Sequence, residues 1–194
     1  GSEMCIRDSD MMTSVFKSQI PAMEKSDFLV MFEPVGATAQ PIVITQNEFM
    51  RRMKDMAAIQ SGMAFYGELP DSYNLIVNTD HPLSQKVIAD TESACKSELT
   101  PILDELKTVN EEIERLQEAK KDKKDDEIPV ADKEALKHAE EKAKELRAKE
   151  SDILKTYADR TPLVRQLVDL ALLSNNMLKG EALSKFIKRS VEML

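Results

Sequence analysis

The sequence predicts an α+β fold: a small three-stranded sheet with an inserted amphipathic helix, followed by a long helical half. Three observations carry this. Short runs rich in β-branched and aromatic residues stand at 28–33 (FLVMFE), 42–44 (IVI) and 73–78 (YNLIVN), each near turn residues. Apolar residues recur at helical spacing after Thr45, and as heptads between Leu99 and Tyr157. Charged residues make up 32% of the chain, above the roughly 25% of ordinary globular proteins, which suits long helices with solvated outer faces.

Taken in order, the chain opens on a segment set apart from the fold. Gly1-Ser2 has the form of a protease-cleavage remnant, and residues 3–9 (EMCIRDS) resemble translated sequencing-adapter DNA. Residues 1–10 are therefore expected to be disordered, and 11–194 to form the domain. The first two strands flank a loop from Pro34 to Pro41 that contains Gly36. Thr45 and Glu48 have capping-box spacing, so a helix is expected from there to about Gln60. Its apolar side carries Phe49, Met50, Met53, Met56 and Ala57, opposite Arg51, Arg52, Lys54 and Asp55. Gly62, Met63 and Phe65 follow. Such a stripe either packs on the sheet or serves as an adaptable binding surface, because methionine is unbranched and polarizable. Spacing alone leaves both open.

After the third strand, Asn78-Thr79-Asp80 and His81-Pro82 form a helix start. Leu99, Ile102, Leu106, Val109, Ile113 and Leu116 then alternate steps of three and four. Eight consecutive charged residues, Lys120 to Glu127, lead to Pro129, and a second heptad series runs through Leu136, Ala139, Ala143, Leu146, Glu150, Ile153 and Tyr157. Residues 97–158 thus read as an antiparallel coiled-coil hairpin. Thr161-Pro162 opens a helix apolar on more than one side, and a final helix follows the break at 175–180. An ordinary intramolecular core is one account of this pair. The other is self-association: residues 161–194 of two copies would bury their surplus faces in an intermolecular four-helix bundle.

Several classes of chemistry find no support. The net charge of −8 argues against a general nucleic-acid binder. No apolar run is long enough to span a membrane, and two cysteines suggest a reducing, cytoplasmic setting. The five glycines are scattered, so no phosphate loop can be built, and two histidines with one cysteine outside the leading segment make no metal-ligand pattern. An enzyme using Asp80 and His81 lacks visible partners. His81 reads as a helix-start residue and His138 as a surface one. No catalytic, cofactor-binding or metal-binding residue is expected, and the chain is expected not to be an enzyme.

Three segments carry a family resemblance: ITQNEFMRRMKDMA (44–57), MAFYGELPDSYNLIVNTDHPL (63–83) and LVRQLVDLALLSNNMLKGEALSKFIKRSVEML (163–194). In that order they resemble the C-terminal domain of the ninety-kilodalton heat-shock chaperones (heat-shock protein 90), the bacterial members above all. The resemblance implies a homodimeric, ATP-driven cytoplasmic clamp whose nucleotide site, with ATP and magnesium, lies in parts outside this chain. It implies contact with unfolded or partly folded client proteins through Phe49, Met50, Met53 and Met56, and further through Ile59, Met63 and Phe65. It implies a dimer interface of Leu163, Leu167, Leu170, Leu173, Leu183, Phe186, Ile187 and Leu194. Nucleic acid and membrane are not among the implied partners. The hairpin at 97–158 departs from typical family members, whose connection there is shorter. A structural module that pairs through the hairpin is the alternative reading.

Overall fold

Residues 6–60, 62 and 64–194 are described in the computed structural model. The elements are α1 (Ile6–Ser18), β1 (Ser26–Glu33), β2 (Ile42–Gln46), α2 (Glu48–Ala57), α3 (Ala64–Glu68), β3 (Asp71–Asn78), α4 (Pro82–Lys120), α5 (Val130–Asp159), α6 (Pro162–Ser174) and α7 (Gly180–Glu192). The chain divides into two compact units. One comprises the residues up to Thr91 together with Ala158–Leu194; the other is Glu92–Tyr157.

The first unit is built on a mixed sheet in the order β1-β3-β2, with β1 parallel and β2 antiparallel to β3. Alternation along the strands sends Val30, Leu75, Val77, Ile42 and Ile44 to one side, where all are buried, while Leu29 on β1 faces outward. α1 packs on β1, and α6 packs on β2 and α1. Their contributions to the core are Met11, Met12, Val15 and Phe16 from α1, and Val164, Leu167, Val168, Ala171 and Leu172 from α6. Phe16 meets Phe32 edge to face at 6.0 Å. Each large apolar side chain fully buried here contributes about 1.5–3 kcal/mol to folding.

α1 begins at Ile6, before the expected domain boundary. Met11, Met12, Val15 and Phe16 fall on one side of a helix and anchor it to the sheet. Thr13 Oγ1 donates to the Ser9 carbonyl (2.7 Å), tying the preceding turn to the anchored part.

The expected loop between β1 and β2 is held by the Asn-x-Asp-His-Pro segment. Asn78 is completely buried, and its side chain is fully satisfied. Oδ1 accepts from the N–H groups of Val35 (3.0 Å) and Asp80 (3.1 Å), while Nδ2 donates to the carbonyls of Gly36 (2.8 Å) and Gln40 (3.1 Å). Asp80 Oδ2 accepts the Gly36 N–H at 2.9 Å. Gly36 has φ +102°, a conformation that disfavours any side chain. Ser84, buried in the first turn of α4, donates to the Pro41 carbonyl (3.1 Å). His81 Nδ1 accepts the Leu83 N–H (3.1 Å) and so serves as a helix-start residue.

In the second unit, burial along α4 and α5 follows part of the expected heptad series. Leu99, Leu116, Leu136, Ala139, Ala143 and Leu146 are buried, and Ile102, Leu106, Val109, Ile113, Ile153 and Tyr157 are half-buried. Lys142 Nζ on α5 lies 3.3 Å from Glu105 of α4. A short 3-10 turn at Asp125–Glu127 joins the helices, with Asp125 3.2 Å from Lys133. His138 is exposed.

Candidate binding surfaces

α2 begins where β2 stops. Thr45 and Gln46 still belong to the strand, and Thr45 Oγ1 accepts from Asn74 Nδ2 (3.3 Å) on β3. Capping therefore falls to Asn47, whose Oδ1 accepts the Met50 N–H (3.1 Å), in place of the expected Thr45–Glu48 box. Glu48 instead turns toward Arg51 (2.9 Å), whose hydrogen bond and positive charge hold its carboxyl below the ordinary value. Arg51 also approaches Asp55 (3.6 Å), and Arg52 approaches Glu48 (3.7 Å). Lys54 reaches across to Asp71 of β3 (2.7 Å) and fastens the helix to the sheet. α3 packs against α2, close enough that a Cβ added at Gly67 would sit 3.7 Å from the Ala57 Cβ.

None of α2 is buried. Phe49 is 63% exposed, Ile59 86% and Phe65 68%; Met56 is exposed, and Met50 and Met53 are half-buried. Met63 lies outside the described residues. Of the two outcomes that spacing left open, packing into this chain's core is not the one adopted. The ion pairs line the polar flank, and on the apolar stripe Phe49 and Met56 stay exposed.

The second surface lies on α6 and α7. Leu167 is buried in the core of the chain. Leu163, Leu183 and Phe186 are half-buried. Leu170, Leu173, Ile187 and Leu194 are exposed, as are Val191 and Met193. Leu170 and Leu173 share one side of α6. Ile187, Val191 and Leu194 follow steps of four and three along the end of the chain.

A part-buried polar network, not anticipated from the sequence, ties these two helices together. Asp169 is buried amid the apolar run of α6, and its Oδ2 accepts from Arg165 Nε (3.3 Å) and from Arg189 Nη2 on α7. Arg189 Nε also donates to Gln166 Oε1 (3.1 Å), and Gln166 Nε2 bonds Ser190 Oγ. Asp169 Oδ1 has no hydrogen-bond partner among the described residues. Burial raises the Asp169 pKa above the ordinary value, a shift opposed by the charges and hydrogen bonds of Arg165 and Arg189. The available signal was an aspartate inside an apolar run with an arginine four residues earlier.

Among the described residues, no group of three or more His, Cys, Asp and Glu side chains is placed to hold a metal ion. No described helix is long and apolar enough to cross a membrane. Asp80 is engaged with the Gly36 backbone and His81 with its own helix start, so the structure brings no acid–base pair together there.

Comparison with known proteins bears on these surfaces. The chain is 48% identical over 182 residues, 94% of its length, to the chaperone protein HtpG of Bacteroides thetaiotaomicron. It is 44% identical over 195 positions, its whole length, to that of Porphyromonas gingivalis. The chain belongs to the HtpG chaperone family. It corresponds to a C-terminal part of these proteins and spans only 27–28% of their length. No family model matches the chain, and no solved structure does.

Proposed function

We propose that this chain is the dimerisation and client-contact module of an HtpG chaperone, and that it acts by binding alone. The observation that carries the reading is the pair of uncovered apolar surfaces on a chain whose relatives are chaperones. The α2 stripe, with Phe49, Met50, Met53 and Met56 flanked by Ile59 and Phe65, is the surface for unfolded or partly folded polypeptide. Flexible thioether side chains suit partners of many shapes. The exposed residues of α6 and α7 meet their copies across a two-fold axis and complete a four-helix bundle. Joining two protomers at this end makes closure elsewhere in a clamp effectively intramolecular. ATP and magnesium, with the hydrolysis they serve, belong to parts of the full-length cytoplasmic chaperone beyond this chain. Residues 97–158 are an antiparallel coiled-coil hairpin in this reading. Six of its heptad residues, Leu99, Leu116, Leu136, Ala139, Ala143 and Leu146, are already buried within the chain, which favours dimerisation through α6 and α7 over pairing through the hairpin.

The test is solution mass by light scattering, from micromolar to nanomolar protein, for the natural chain and a Leu173→Glu/Ile187→Glu variant. Both side chains are exposed, so the variant keeps the protomer core. The expected result is a dimer that becomes a monomer on substitution, with unchanged circular dichroism. A monomeric natural chain at micromolar concentration, or a variant that remains dimeric, overturns the interface.

A further inference from the structure

We propose that Met50, Met53 and Met56 form a peroxide-responsive switch on α2: their oxidation makes the apolar stripe polar and releases bound polypeptide, and reduction restores it. This inference rests on α2 being the client-contact surface. The methionines of the chain fall into contrasting environments. Met11 and Met12 are buried between α1 and the sheet, whereas Met56 is exposed and Met50 and Met53 are half-buried on a helix with no buried residue. Thioether oxidation follows exposure, so peroxide reaches the α2 sulfurs well before those of α1.

The chemistry is balanced. The thioether sulfur attacks one peroxide oxygen, the O–O bond breaks, and sulfide plus hydrogen peroxide gives sulfoxide plus water. Two electrons pass from sulfur to peroxide. In the reverse step a reductase dithiol takes up the sulfoxide oxygen as water and is oxidised to a disulfide. Oxidation turns a flexible apolar side chain into a polar, chiral one, removing the property that lets a Met-rich surface accept varied partners.

The fixings of the helix make this a change of surface rather than of fold. α2 is held by the Asn47 cap, the Lys54–Asp71 ion pair and its packing on α3. Neither the cap side chain nor the ion pair uses a sulfur atom. Phe49 remains apolar after oxidation, so binding is weakened in proportion to the three thioethers and not abolished through Phe49.

The experiment treats the 194-residue chain with graded hydrogen peroxide, maps sulfoxides by peptide mass spectrometry, and measures binding of a permanently unfolded, carboxymethylated polypeptide. Met50, Met53 and Met56 are expected to oxidise well before Met12. Affinity should fall by about tenfold and recover with methionine sulfoxide reductases A and B. Met193 is also exposed, and Met23, Met31 and Met177 are half-buried, so the control is the Met50→Leu/Met53→Leu/Met56→Leu variant, whose affinity, whatever its level before treatment, is expected to be the same before and after peroxide. Equal oxidation of Met12 and the α2 methionines, or binding unchanged by oxidation, overturns the switch while leaving the client surface standing. A triple variant that still loses binding in peroxide moves the effect elsewhere and also overturns it. An unoxidised chain that binds no unfolded polypeptide overturns the client surface and the switch together.

Discussion

α2 and α6 are both apolar-striped helices in the same compact unit, yet α6 buries six residues and α2 buries none. The difference lies in how each is joined to its neighbours. α6 enters through Pro162 and presents Val164, Leu167, Val168, Ala171 and Leu172 to β2 and α1. α2 leaves the end of edge strand β2 under an Asn47 cap and is fastened laterally by Lys54 to Asp71. A short helix without a buried face gains little from packing; caps and ion pairs take a larger share in holding it. Amphipathicity therefore tells which side of a helix is apolar but not whether the chain covers it.

The sharpest way to break this comparison is to truncate a core residue of α6. Leu172 is completely inaccessible, and Leu172→Ala should lower unfolding free energy by about 2–5 kcal/mol in urea titration. A loss below about 1 kcal/mol would show that α6 is not packed as described.

The Asp169 network comes next. Asp169→Asn removes a carboxylate that accepts from two guanidinium groups, and because burial of the charge offsets those contacts, it should change unfolding free energy at neutral pH by no more than about 1 kcal/mol. The sign with pH follows from the raised native pKa. Between the ordinary carboxylate value, about 4, and that raised value, the native state binds more protons than the unfolded state. This group's contribution therefore increases as pH falls through the native pKa and decreases as pH rises through the same window. Stability of the natural chain relative to Asp169→Asn should follow that trend in acid and level off toward neutrality. The opposite trend would mean that the two arginines outweigh desolvation.

How much was legible in the sequence follows from the same contrast. The strands appeared within two residues of their bounds at most ends, because alternation and turn residues are local signals. The heptads of α4 and α5 marked Leu99, Leu116, Leu136, Ala139, Ala143 and Leu146, all buried, but near the end of α5 the buried residues are Leu154 and Ala158 and not the expected Ile153 and Tyr157. α1 was missed: four apolar residues beside a segment with no evident place in the fold make a helix only once the sheet is there to receive them. The Asn47 cap was misplaced by two residues because hydrogen bonding to β3 keeps Thr45 in the strand. Asp169 was missed because its partner Arg189 lies twenty residues away on α7. The exposed α2 stripe was readable as apolar, while its lack of cover within the chain required the fold.

Asn47→Ala tests the local hold on α2. Loss of an N-cap costs about 1 kcal/mol. With no buried face, α2 should express that loss locally, as faster amide exchange over residues 48–57 while β3 and α6 exchange as before. Uniformly faster exchange across the unit would mean that α2 is part of the global cooperative core, contrary to its exposure.

The smallest expected effect on stability is the most informative about function. Phe49 is a large aromatic residue, yet most of its surface is open to solvent, and Phe49→Ala should change unfolding free energy by no more than about 0.5 kcal/mol. The same substitution at a buried phenylalanine costs about 3–5 kcal/mol, so the experiment separates a surface aromatic from a core one by a wide margin. If Phe49 serves unfolded polypeptide, affinity for a carboxymethylated client should fall several-fold while circular dichroism and solution mass stay as they were. A loss of stability comparable to that of Leu172→Ala would place Phe49 in a packed environment and return α2 to the core. Unchanged stability with unchanged binding would leave α2 exposed but move client contact to another apolar surface, of which Leu29 on the outer side of β1 is the nearest in kind.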